Sequence, residues 1–198
     1  DMPFMSYQIS VEQAMQNAGR IMKETGASAI KLEGGKEVCP QIRAITAAGI
    51  PVVAHIGMTP QSVNAFGGFT VQGKGEANAR RVLEDALAVQ EAGAFAVTLE
   101  CVPPKLSALI TKKLDIITIG IGASPECDAQ VLVWQDMLGI SDFKPKFAKH
   151  FAEVGETMRE AFRAYDGEVK SGVFPASEHT FVKSDCTEEF LASLDAEY

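Results

Sequence analysis

Apolar positions along this chain alternate between two spacings. Val11, Ala14, Met15, Ala18, Ile21 and Met22 fall on one face of a helix. Ser10 and Gln13 form a capping box at its start, and Gly26 stops it. Ala27–Leu32 then predicts a short buried strand. The pattern repeats: a helix over about Glu37–Ala48, a strand over Pro51–Ile56, a helix over Glu76–Gln90 and a strand over Ala94–Leu99. Pro103 and Pro104 open a short helix to about Lys113. Asp115–Ile121 and Gln130–Trp134 predict two more strands, and Asp1–Phe4 has the look of a strand end leading into a turn.

Strands that alternate with helices through short connections form βαβ units and a parallel sheet. The strands are runs of apolar residues, as expected where both sheet faces are covered. The six strands counted from Asp1 fall short of the eight that close a (β/α)8 barrel, so two βα units are expected to precede Asp1. Residues 1–198 are expected to be one domain, strands three to eight of that barrel plus a C-terminal helical extension. The Gly-rich stretch Gly57–Gly75 is too long for an idle connection, and its Phe66, Phe69 and Val71 argue for an ordered functional loop. Phe143–Tyr165 predicts a further helix; beyond it the chain is polar and irregular apart from a short helix near Thr187–Leu194.

Composition narrows the field. Of the 198 residues 46% are hydrophobic and 22% charged, as in ordinary globular domains. The formal net charge of -8, with no basic cluster, argues against nucleic acid or an anionic membrane as partner. No apolar run is long enough to span a bilayer, and the first residues lack the pattern of a signal peptide. Cys39, Cys101, Cys127 and Cys186 are scattered without metal-binding spacing, which fits reduced thiols in the cytoplasm.

In parallel α/β folds the chemistry sits at the carboxyl ends of the strands. Polar residues close several of the predicted strands: Asp1, then Lys31 and Glu33, then His55, then Glu100. Each has an ordinary alternative, respectively a frayed terminus, a rare strand lysine, a solvated loop carboxylate, a hydrogen-bonded core histidine and a paired carboxylate. Their convergence on one end of one sheet is what makes a site. Carboxylates such as Asp1 and Glu33 suit a hard cation, most simply Mg²⁺, which can chelate and polarise an α-keto acid. Lys31 would offset the substrate's negative charge. A further carboxylate would remove a proton next to the carbonyl.

Several segments resemble the ketopantoate hydroxymethyltransferase family: A-I-K-L-E-G-G at Ala29–Gly35, G-I-P-V-V-A-H-I-G-M-T-P-Q-S-V-N at Gly49–Asn64, G-G-F-T-V-Q-G-K at Gly67–Lys74 and A-G-A-F-A-V-T-L-E-C-V-P at Ala92–Pro103. I-T-I-G-I-G-A, D-M-L-G and F-P-A-S-E-H-T-F, from Ile117, Asp136 and Phe174, extend the likeness to about Phe181. The resemblance implies a (β/α)8 TIM barrel. It implies transfer of a hydroxymethyl group from 5,10-methylenetetrahydrofolate to α-ketoisovalerate (3-methyl-2-oxobutanoate), through an enolate chelated to Mg²⁺, giving ketopantoate for pantothenate and coenzyme A. By matching position, Asp1 would be a Mg²⁺ ligand that also meets the substrate, Glu33 would reach the metal through water, Lys31 and His55 would hold the keto acid, and Glu100 would be the base. The family's two stacked pentameric rings imply a homo-oligomer, a decamer. Ser124 and Ala129 stand where the family often has glycine, and the family carries a second metal-binding Asp and a substrate-contacting Ser before the Asp1 segment. Two alternatives are a phosphoenolpyruvate mutase or isocitrate lyase relative, separable by folate dependence, and a non-catalytic barrel remnant, which predicts no metal-dependent substrate binding.

Overall fold

The computed structural model describes residues 1–181 and 186–197. Contacts divide them into two compact units, residues 1–133 with 145–149, and residues 134–144 with those from His150 onward. The first unit runs α1 (Val11–Glu24), β1 (Ile30–Glu33), α2 (Cys39–Ala47), β2 (Val52–Gly57), α3 (Val63–Phe66), α4 (Glu76–Glu91), β3 (Ala96–Glu100), α5 (Pro104–Lys113), β4 (Ile117–Ile121) and β5 (Ala129–Gln130). Ser10 caps α1 as its sequence requires, its hydroxyl accepting from the Gln13 amide at 3.1 Å.

The five strands are parallel and lie in chain order, β1-β2-β3-β4-β5. A doubly wound sheet reverses its strand order and puts helices on both faces. Here one apolar cluster joins Ile30, Leu32, Val52, Ala54, Ile56, Val97 and Leu99 to α1, α2, α4 and α5 through Ala14, Ala18, Ile42, Ile45, Val82, Val89 and Ile110. The strand members alternate along each strand, so they share one face. Sequential parallel strands with every packing helix on one face are the arrangement of a (β/α) barrel wall. The strands are therefore not apolar on both faces; the face away from the helices carries Lys31, Glu33, His55, Thr98 and Glu100.

Several boundaries differ from the sequence expectation. Asp1–Phe4 is not a strand: Ser6 N and Oγ both bond Pro3 O, at 3.0 and 2.6 Å, and Met5 has φ +64°, so the chain turns at once. Among the described residues the segment's one backbone hydrogen bond to β1 is from Met2 N to Lys31 O, at 2.8 Å. The last strand ends early; Val131 N still donates to Gly120 O at 3.0 Å, and Trp134 already begins a helix.

The second unit contains α6 (Trp134–Met137), α7 (Val154–Ser171) and α8 (Glu188–Glu197). The helix expected from Phe143 starts only at Val154. Pro145 restricts the residue before it and has no amide to give a helix. The amides of Phe151 and Val154 instead bond Met137 O and Leu138 O at 2.7 and 2.9 Å. The stretch expected to be irregular contains the end of α7, a one-turn helix at Ser177–His179, and α8, which covers the expected Thr187–Leu194 from its second residue on; residues 182–185 and 198 lie outside the described residues. Among the described residues no helix is long and apolar enough to cross a membrane.

The helix-facing side of the sheet should dominate stability. Leu99 is fully buried there, whereas Leu87 on α4 is 41% exposed. Leu99→Ala should cost ~2–5 kcal/mol and Leu87→Ala under ~1 kcal/mol in urea unfolding. Equal losses would mean the core lies elsewhere.

Candidate functional site

Pleating and register bring the polar residues together. Lys31 and Glu33, two apart on β1, share a face. Glu33 is level with His55, His55 with Thr98, and Gly57 with Glu100. Level residues in neighbouring strands point the same way, so Lys31, Glu33, His55, Thr98 and Glu100 all project from the face opposite the apolar cluster. Four of the five sequence candidates therefore meet through register alone. Asp1, outside the sheet, joins them through an ion pair of 2.5 Å between its Oδ1 and Lys31 Nζ.

The contacts run as a chain. Lys31 Nζ lies 3.3 Å from His55 Nδ1, and Glu33 Oε1 lies 3.9 Å from the same nitrogen. An ammonium can only donate, so Nδ1 accepts and a neutral ring carries its hydrogen on Nε2. Nε2 is 3.0 Å from Glu100 Oε2, yet it is out of line for a hydrogen bond and is a buried polar atom with no partner. A buried donor in that state is poised for a ligand oxygen. Burial pushes the Lys31 ammonium below its ordinary pKa, opposed by the nearby Glu33 and Glu100 carboxylates. When ionised, Asp1, Glu33 and Glu100 outnumber the one ammonium, which favours entry of a further cation.

The backbone around Glu100 is shaped by two tight positions. Gly57 has φ +91°, and a Cβ there would sit 2.3 Å from Glu100 O, so the glycine of H-I-G is required by close approach. Met58 N donates to that same carbonyl at 2.8 Å. Cys101, with φ +50°, holds a left-handed conformation that costs a non-glycine residue on the order of 1 kcal/mol. It is pinned by Cys101 N to Ile121 O and Gln72 N to Cys101 O, both 2.9 Å. Burial and the Glu100 carboxylate push its thiol pKa up.

Tyr7 and Gln61, absent from the sequence candidates, also belong to the site. The buried Tyr7 hydroxyl accepts from Glu33 N at 3.1 Å and lies 2.9 Å from Glu33 O. Gln61 N donates to Glu33 Oε2 at 2.8 Å. Gln61 was visible only as part of the functional loop; nothing in the sequence marked Tyr7.

Among the described residues no three His, Cys, Asp or Glu side chains are grouped to hold a metal. Mg²⁺ does not need such a group, since one or two carboxylates with water and substrate suffice. Asp1, largely exposed, and Glu33 are oxygen donors of that kind, both within the reach of Lys31. A separate cavity of about 440 Å³, lined by Gly34, Phe66, Arg81 and Asp85 among others, adjoins the cluster through Gly34 and Gly57 but is lined by none of the five candidates.

The sequence profile of the family described as ketopantoate hydroxymethyltransferase matches residues 1–177. A 3-methyl-2-oxobutanoate hydroxymethyltransferase of Clostridium novyi is 62% identical over 182 residues, covering 91% of this chain and 66% of that protein. One from Enterococcus faecalis is 61% identical over 186 residues, covering 93% and 68%. The chain thus spans about two thirds of the length of these relatives. Among solved structures, a putative phosphonomutase from Burkholderia cenocepacia aligns with a TM-score of 0.45 at 15% identity, covering 81% of this chain and 65% of that one.

Tyr7 gives the site a measurable signature. Burial pushes its phenol from 10.0 up to about 12. A raised folded pKa contributes stability that is complete below the unfolded pKa and is lost as pH climbs through the folded one. Urea unfolding should therefore show stability falling between about pH 10 and 12, by on the order of 2 kcal/mol more in the wild type than in Tyr7→Phe. Identical slopes would mean that the phenol ionises as freely folded as unfolded.

Proposed function

This chain belongs to the ketopantoate hydroxymethyltransferase family, and from that membership we propose that its polar cluster transfers a hydroxymethyl group from 5,10-methylenetetrahydrofolate to C3 of α-ketoisovalerate, giving ketopantoate. The observation that carries this reading is the shared face of Lys31, Glu33, His55 and Glu100, where a base, a cation and a buried unpartnered donor meet.

Each group has a chemical part. Lys31 is the charge partner for the keto acid's carboxylate. His55 donates from Nε2 to the substrate oxygen that gains charge as the C3 proton leaves. Glu100, beside that nitrogen, is the base: its carboxylate takes the proton, and the C–H electrons pass into the enolate. The C3 carbon then attacks the methylene carbon as the bond from that carbon to one folate nitrogen breaks; its bond to the second nitrogen breaks as water supplies the hydroxyl, and the two nitrogens take up the proton from C3 and the proton left by water. Asp1 and Glu33 would hold Mg²⁺, which when bound would polarise the keto acid's carbonyl. The apolar stripe of α7, exposed at Met158, Phe162, Tyr165 and Val169, supports assembly with further copies, in this family's case a decamer. Cys39, Cys101 and Cys127 as thiols support a reducing compartment, the cytoplasm.

The test is deuterium exchange at C3 of α-ketoisovalerate in D₂O, followed by NMR with Mg²⁺. Glu100→Gln should slow it by ~10²–10⁴-fold, the usual contribution of a positioned base, while Mg²⁺-dependent keto-acid binding stays within about threefold. Loss of binding in that variant would make Glu100 a ligand or structural group instead. A wild type without metal-dependent exchange would remove the enzymatic reading.

A further inference from the structure

The Asp1 segment belongs to no regular element, so something other than a helix or sheet ladder must aim it. Asp1 pairs with Lys31 and the Met2 side chain is buried in the core cluster, and the segment's one backbone hydrogen bond to the sheet among the described residues is Met2 N to Lys31 O, at 2.8 Å. On the other side of the same residue, Met2 O accepts from Gln61 Nε2 at 2.9 Å. Gln61 sits in the single helical turn Pro60–Ser62 that follows β2, and its main-chain N donates to Glu33 Oε2 at 2.8 Å. Its side-chain Oε1 accepts from Tyr7 OH at 3.0 Å and from Gln8 Nε2 at 3.2 Å. Tyr7 in turn brackets the Glu33 peptide. One residue thus touches the Glu33 carboxylate, the peptide next to Asp1 and the phenol behind Glu33.

The chemistry of the side chain fits this use. A primary amide offers a donor and an acceptor at the same end. Gln61 uses both, the donor toward Met2 O and the acceptor toward Tyr7 and Gln8. Glutamate would keep the acceptor and lose the donor. Alanine would lose both and keep the main-chain bond to Glu33.

We infer that Gln61 is a positioning residue that ties the Asp1 segment to Glu33, holding the two acidic groups in one arrangement for the ligand shared with Lys31. The assignment of Asp1 and Glu33 to that ligand rests on the function proposed above. Gln61 itself touches no reacting atom, so its loss should weaken binding and leave proton abstraction by Glu100 intact.

The experiment compares wild type, Gln61→Ala and Gln61→Glu by three measurements. Hydrogen exchange of the peptide covering Met2–Tyr7 reads the tie directly. Calorimetry reads α-ketoisovalerate binding in the presence of Mg²⁺. The C3 exchange rate is taken at saturating Mg²⁺ and keto acid. Both variants should exchange faster over Met2–Tyr7 and bind the keto acid about tenfold more weakly, the effect of losing one part-buried hydrogen bond. Their saturated C3 exchange should stay within about threefold of wild type. Wild-type affinity in both variants would overturn the inference, even if they melt earlier, because a purely structural tie lowers stability without moving affinity. Full affinity in Gln61→Glu alone would overturn the role of the Met2 bond. A wild type that binds no keto acid would sink the proposed function, and unchanged Met2–Tyr7 exchange would separately sink the tie.

Discussion

Parallel register is the constraint on which the rest of this molecule depends. Glu33 is level with His55, and His55 with Thr98, two residues before Glu100. A slip of one residue between β1 and β2 would send Lys31 and Glu33 into the apolar cluster and Leu32 onto the polar face. The helices prevent it. Leu32, Ala54 and Leu99 are fully buried against them, and each would have to leave that contact for the register to move. The core that stabilises the fold is therefore also what aligns the site.

The polar face has the opposite character. It holds Lys31, Glu33, His55 and Glu100 at limited exposure, where charges cost free energy unless they are partnered. The partners are mostly one another: Lys31 with Asp1 and His55, Glu33 with Gln61 and Tyr7. His55 Nε2 is left over, near Glu100 but not bonded to it. A cluster with one buried donor free of a hydrogen bond and with carboxylates in excess supports the reading of an anionic ligand that arrives with a cation.

Two backbone features refine the arrangement. Gly57 lets β2 pass close to the Glu100 carbonyl, and Cys101 turns the chain sharply after Glu100. Both lie at the carboxyl ends of strands, Gly57 as the last residue of β2 and Cys101 directly after β3, where chain direction decides which way a side chain points. The Tyr7–Gln61 bracket does for Glu33 and the Asp1 segment what Cys101 and Gly57 do for Glu100.

The order of helices and strands was legible in the sequence because spacing alone specifies it: the Ser10 cap, the apolar runs from Ile30, Val52 and Ala96, and the prolines opening α5 are local signals. So was the set of polar strand ends, since Lys31, His55 and Glu100 are conspicuous in apolar surroundings. The turn after Asp1–Phe4 was legible but the absence of a strand before it was not, because a buried Met2 next to Phe4 has the same pattern as a strand end. Nor was the late start of α7, where the amides of Phe151 and Val154 bond Met137 O and Leu138 O. By itself the sequence determined the succession of elements and the residues able to do chemistry, because these depend on neighbours along the chain. Only the tertiary structure decided that the strands present a polar face, that Tyr7 and Gln61 bracket Glu33, and that His55 Nε2 lacks a partner. Those facts depend on register between strands far apart in sequence, which packing against the helices sets and local spacing does not encode.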